Sequence, residues 1–169
     1  LAATMTTAPV LLQGQTLQDG LDAYEAGNNK AAFEILQPYA EKGNSLAQGT
    51  LGLMYELGNG LPQDYRKAAK WYRMAAEQGV ALAQEFLGHL YYQGLGVPQD
   101  YAEAAKWFRY AASQGEAPAQ YSLGLLYHKG LGIPQDYAEA VKWYRLAAEQ
   151  GDALARNNLG VMYEYGNGV

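Results

Sequence analysis

The feature that most constrains this chain is a period. Trp71, Trp107 and Trp143 lie 36 residues apart, as do Pro62, Pro98 and Pro134, the Gln-Asp pairs beginning at Gln63, Gln99 and Gln135, and Gly52, Gly88, Gly124 and Gly160. Such a period marks a stacked array, in which a unit buries its apolar face only against its neighbours. The copies run 44–79, 80–115 and 116–151, and 152–169 holds a half copy with a first helix alone. The second and third agree at 24 of 36 positions. A diverged first copy spans 16–43, with Tyr24 and Gly27 standing for Tyr55 and Gly58 and a middle loop five residues shorter. Residues 1–15 carry no charge and no period, and read as a flexible N-terminal arm to one solenoid domain.

Each copy predicts two helices. The second starts after Asp64, Asp100 or Asp136; Asp100 with Glu103 and Asp136 with Glu139 have capping-box spacing, whereas Lys67 leaves Asp64 to cap alone. It ends at Gly79, Gly115 or Gly151, as a left-handed C′ residue would dictate. The first helix, about 45–57, ends at Gly58, and the intervening GNGLPQDY, GLGVPQDY and GLGIPQDY segments describe ordered turns. Pro38 falls inside the second helix of the diverged copy and predicts a kink.

On a helical wheel with Leu51 at zero, Ala47, Met54, Tyr55 and Gly58 share one side, and their counterparts in later copies are nearly the same. Gly52 and its equivalents remove a Cβ where a neighbour must come close. The second helices offer aromatic knobs among alanine gaps, which read as core. On the opposite side of the first helix the copies disagree. Position 49 becomes Glu85, Tyr121 and Asn157; Leu53 becomes His89, Leu125 and Val161; Glu56 becomes Tyr92, His128 and Glu164; Leu57 becomes Gln93, Lys129 and Tyr165. Positions 46 and 57 flank this side. A face that varies while its opposite repeats is either free to drift in solvent or meets something that does not repeat. Tyr92 and Tyr121 favour the second reading, because aromatic anchors mark interfaces. The expected partner-binding set is therefore Glu56, Glu85, His89, Tyr92, Tyr121, His128, Lys129, Asn157 and Glu164.

Composition removes most chemistry. With no Cys, the chain has no disulfide, thiolate metal site or Cys nucleophile, and its two His are the only imidazoles. A net charge of −5 with scattered charges opposes nucleic acid as a partner. No apolar run is long enough for a membrane span. Ser45, Ser113 and Ser122 lie in no nucleophile motif, and the Gly-rich loops lack the Lys and Ser/Thr of a phosphate cradle. No catalytic residue, cofactor or metal is expected. Leu1-Ala2-Ala3 matches the small-residue tail of a removed export signal, which leans toward a periplasmic or secreted location over a cytoplasmic one.

The stretches ALAQEFLGHLYYQGLGVPQDYAEAAKWFRYAASQG and APAQYSLGLLYHKGLGIPQDYAEAVKWYRLAAEQG resemble the Sel-one-like repeat family, a relative of tetratricopeptide repeats with a longer inter-helix loop. The resemblance is strong over 44–169 and weak over 16–43. It implies an all-α, right-handed α-solenoid of antiparallel helix pairs whose first helices line the concave face. It further implies a non-enzymatic adaptor or scaffold that binds a protein or peptide, in a bacterial envelope or host-contact setting. The carboxylate clamp of tetratricopeptide domains does not carry over, since Gly49, Glu85, Leu53 and His89 stand where Lys and Asn would be needed. A cysteine-rich branch of the family is separated by the absence of Cys. The alternative reading is binding or hydrolysis of a cell-envelope polymer, with Glu85, His89 and His128 as the acid–base set. The half copy at the C-terminus predicts an uncovered Leu159, Met162 and Tyr163 side, a candidate for self-association if the chain does not continue.

Overall fold

A computed structural model describes residues 14–169. Among the described residues it contains nine helices and no strand: α1 (Leu17–Glu25), α2 (Asn29–Glu41), α3 (Ser45–Leu57), α4 (Tyr65–Glu77), α5 (Ala81–Gln93), α6 (Tyr101–Ser113), α7 (Ala117–Lys129), α8 (Tyr137–Glu149) and α9 (Ala153–Glu164). Consecutive helices pair, each pair packs on the next, and the result is an all-α solenoid of 36-residue units. First helices also touch one another directly, α1 with α3 and α3 with α5. Second helices of neighbouring units do not touch to this extent among the described residues, so the first helices form the more closely spaced layer, here called the inner wall. None of these helices is long and apolar enough to cross a membrane. Residues 1–13 of the expected arm lie outside the described part, and the carbonyl of Gln15 accepts a bond from the Tyr39 hydroxyl at 2.9 Å.

The expected core is in place. Ala47, Leu51 and Met54 are wholly buried with Leu87, Leu123 and Leu126, facing Tyr72, Phe108 and Tyr144 from the second helices. A Cβ on Gly52, Gly88 or Gly124 would lie 2.5, 2.7 or 2.8 Å from the ring of Tyr72, Phe108 or Tyr144, so these glycines are fitted to an aromatic partner. Gly160, which has no such ring beside it, faces open space and serves as an internal control.

One local expectation, the capping box, changes. Asp64, Asp100 and Asp136 cap their helices by accepting backbone N–H bonds, but Glu103 and Glu139 pair with Lys106 and Lys142 at 3.2 Å instead of closing the box. The reason is that the N–H groups of Asp100 and Asp136 already donate to the carbonyls of Tyr91 and Tyr127. A complete capping box stands at Thr16 and Asp19, whose N-cap N–H is free for it. These bonds hold the Asp19 carboxyl below its ordinary pKa. Pro38 lies inside α2 as expected, and the helix runs past it to Glu41 with the ring buried.

The seams between units repeat almost verbatim. In each inter-helix loop the second glycine, Gly60, Gly96, Gly132 or Gly168, sits against the backbone at the start of the preceding second helix, at Asn29, Tyr65, Tyr101 or Tyr137. At the opposite edge of three of these seams, the buried amides of Gln48, Gln84 and Gln120 donate to the carbonyls of Ala40, Ala76 and Ala112 at 3.0–3.2 Å. Their own carbonyls accept from Gln78, Gln114 and Gln150 at 2.7–2.8 Å. Arg73, Arg109 and Arg145 donate across the seam to the hydroxyls of Tyr91, Tyr127 and Tyr163. Buried polar groups are costly unless paired, so each seam admits one register.

Candidate functional site

The variable side of the first helices lies on the inner wall, and its residues divide into three groups by what they touch. Lys129, Asn157 and Glu164 are exposed. Glu56 and His128 face inward: Glu56 accepts from the buried Tyr72 hydroxyl at 2.5 Å, and His128 Nδ1 lies 3.3 Å from the Tyr144 hydroxyl. Tyr92 occupies the same position in the unit whose second helix carries Phe108, and packs edge-on against Tyr101 with ring centroids 5.3 Å apart. The change of residue along 56, 92 and 128 therefore follows the core ring beneath it, with a polar group where the ring bears a hydroxyl and an aromatic one where it does not. Burial pushes both tyrosines up, Tyr144 to about 12, and the Glu56 carboxylate adds to the shift at Tyr72.

The third group fills the crevices between successive first helices. Glu85 is 6 % exposed, and its carboxylate reaches His89 Nε2 at 3.8 Å. Burial, and then repulsion from Glu116 at the head of the next first helix, pushes its carboxyl up to about 7; burial holds His89 below its ordinary value. His89 also packs its ring edge on Phe108 at 4.9 Å. Tyr121 occupies the next crevice, tilted over Tyr144 at 5.9 Å. Glu85 is thus an interior residue of the wall, unlike the accessible partner-binding residue expected from its place on the wheel. The wheel reports angle within one helix, whereas its burial comes from the following unit, which offers Glu116 and the buried Ser122.

Position 49, the first member of that series, is glycine, and its crevice is open. Leu53, Thr50 and Phe86 surround a cavity of about 160 Å³ over the buried Tyr72 ring, with Leu46 and Leu82 at its mouth. Phe86 lies 5.3 Å from Tyr72, centroid to centroid. Leu46 and Leu82 are 56 % and 52 % exposed, and Leu154 repeats them at 61 %. Leu82 and Phe86 did not stand out as site residues in the sequence; the recurrence of leucine at 46, 82 and 154 was the available signal.

Charge is layered in the same sense. The first helices α1, α3, α5, α7 and α9 carry six Asp or Glu and two Lys or Arg, and the second helices carry six and nine. The first helices are therefore the acidic layer, while the N-cap residues Asp64, Asp100 and Asp136 bring the second helices to balance, which biases the inner face toward cationic ligands. The proposed acid–base set does not assemble into a cluster: Glu85 and His89 meet one turn apart, and among the described residues no three His, Cys, Asp or Glu converge as a metal site would need. The one fully buried side-chain polar atom lacking a partner among the described residues is Nε1 of Trp107, on a second helix; its equivalent in Trp143 donates to Glu139 at 3.1 Å.

The Sel1 repeat matches four times, at residues 45–80, 81–116, 117–152 and 153–169. In three dimensions the chain is similar to a protective antigen of uropathogenic Escherichia coli with an SLR fold (44% identity, TM-score 0.86, covering 90% of this chain and 34% of that one). It is also similar to a Sel1 repeat protein from Oxalobacter formigenes (39% identity, TM-score 0.86, 91% and 63%). This chain thus spans only part of the length of either. Cysteine-rich protein B of Helicobacter pylori shares the fold at 21% identity, with a TM-score of 0.58 over 86% of this chain and 98% of that one. No curated protein matches.

Proposed function

We propose that this chain, which belongs to the Sel1-repeat family, is a non-enzymatic scaffold that binds a peptide or partner protein along the inner wall of its solenoid, in a bacterial envelope or host-contact setting. Sel1 repeats typically act in protein–protein interaction. One observation carries the reading to this wall: the seams use the same Gln, Gly and Arg–Tyr pairs in unit after unit, whereas the crevice residue changes every time, from Gly49 to Glu85 to Tyr121. A rigid array held by such seams presents its wall already ordered, so binding avoids most of the entropy of arranging the surface. Lys129, Asn157 and Glu164 supply polar contacts at the rim, and Tyr92 and Tyr121 supply half-buried aromatic area. The setting rests on the antigen with which the chain shares its fold.

The test is affinity capture with the intact chain as bait, repeated with Tyr92→Ala/Tyr121→Ala. A partner retained by the parent and lost by the double variant, with unchanged helical circular dichroism, supports the wall; a partner held equally by both removes it.

Polymer hydrolysis is the second reading, favoured by the raised Glu85 carboxyl beside His89. Against it stands the burial of Glu85, which keeps a polymer from the carboxylate. Peptidoglycan turnover that is abolished by Glu85→Gln would restore it.

A further inference from the structure

We propose that the open crevice at Gly49 is an anchor subsite that takes one large apolar side chain, of Leu or Phe size, from a peptide segment whose flanking residues are cationic. The inference rests on the inner wall being the binding face and adds which place on it matters and for what chemistry.

Comparison of the units carries the first half. In two of the crevices between successive first helices the wall places its own side chain: Glu85 lies nearly buried in one and Tyr121 covers Tyr144 in the next. At Gly49 the wall contributes no side chain, and a Cβ built there meets nothing within 4 Å. No neighbouring backbone requires glycine at this helical position, unlike Gly52, whose Cβ would strike the Tyr72 ring. The cavity of about 160 Å³ is walled by Leu53 and Phe86 above Tyr72. An apolar cavity of about 150 Å³ is enough to take up a benzene ring. Leu46 and Leu82, more than half exposed at the mouth, extend apolar contact to the stem of an entering side chain.

Charge carries the second half. The first helices that frame the crevice, α3 and α5, bear no Lys or Arg; Glu56 is their half-buried acid, Glu85 being buried with its carboxyl raised, and α1 adds Asp19, Asp22 and Glu25, again with no basic residue. The nearest bases on first helices are Lys129 and Arg156, in later units. A ligand anchored at Gly49 therefore lies in a negative field that attracts Lys and Arg beside its anchor and repels Asp and Glu.

The experiment is selection of a random twelve-residue phage-display library on the intact, immobilised chain, followed by affinity measurement of the enriched peptides against three proteins: the parent, Gly49→Tyr, and Tyr92→Ala/Tyr121→Ala. Gly49→Tyr places at 49 the residue that position 121 carries, so its ring occupies the crevice beside Phe86, and circular dichroism checks that the helices persist. The expected result is peptides sharing one large apolar residue flanked by Lys or Arg, binding Gly49→Tyr at least tenfold more weakly and weakening between 50 and 500 mM salt. Enriched peptides that are acidic, or that bind Gly49→Tyr within twofold of the parent while losing affinity for the tyrosine double variant, overturn the subsite and leave the inner wall standing. Peptides unaffected by either variant, or no enrichment, overturn both.

Discussion

The seams between units and the crevices between first helices are made by the same 36-residue units stacked in the same way, and they differ in what varies. Every seam has a loop glycine on a helix start, and three carry the same buried glutamine between the carbonyl behind it and the amide beside it. No two crevices hold the same residue: Gly49 leaves one open, Glu85 places a buried acid in the second, Tyr121 closes the third. The contrast teaches where this fold can change. A seam residue is fixed by backbone at close range, so almost any substitution costs register; a crevice residue meets only side chains and solvent, so the wall can vary without disturbing the stack.

The strongest way to break this contrast is Gly132→Ala. The added Cβ would overlap the Tyr101 backbone, and the residue holds φ at +70°, where L side chains are strained. A loss of about 3–5 kcal/mol is expected from urea unfolding; a loss under about 1 kcal/mol would show that the seams yield and the contrast is false. Next is Gln120→Leu, which leaves the buried Ala112 carbonyl without its donor, while the exposed Gln150 amide keeps its bond to the Gly115 carbonyl. A cost of about 1–3 kcal/mol follows, read by the same method.

Glu85→Gln sharpens the crevice side through pH. The folded-state carboxyl, raised to about 7, binds its proton more tightly than the unfolded chain does near the ordinary 4.5. Stability contributed by this group is therefore full below about pH 4.5 and falls as pH rises toward 7, where the buried carboxylate faces Glu116 on the next helix with a largely neutral His89 beside it. Gln at this position should raise stability by about 1–2 kcal/mol at pH 8 and change little at pH 4; equal effects at both pH values would mean that Glu85 is solvated. The smallest effect has the opposite sign to the first. Gly49→Ala, the same substitution as at residue 132, should stabilise by about 0.5–1 kcal/mol, because the helix gains propensity and the space is free.

Much of this was legible from the period. The helix bounds at Ser45, Leu57 and Tyr101, the solitary cap at Asp64 and the close approach at Gly52 all depend on residues within one copy, which a single sequence displays. What was not legible depends on the neighbouring copy. Gln48, Gln84 and Gln120 recur at the same spacing on the buried arc of the wheel, but a polar residue there makes sense only once the carbonyls of the preceding unit are seen. The burial of Glu85 and the openness at Gly49 likewise depend on what the next first helix presents. Glu56 and His128 look variable until Tyr72 and Tyr144 are placed beneath them, and the change at that position then reads as matching within a unit.

The loop glycines seated on the preceding unit have a consequence for how such a gene can change. Because each copy meets its predecessor through the same interlock, recombination that inserts or removes whole 36-codon copies in frame recreates every joint. Each crevice is shared by two copies, so shuffling whole copies brings new pairs of neighbours together. New binding surfaces can then arise from existing parts before any point mutation occurs.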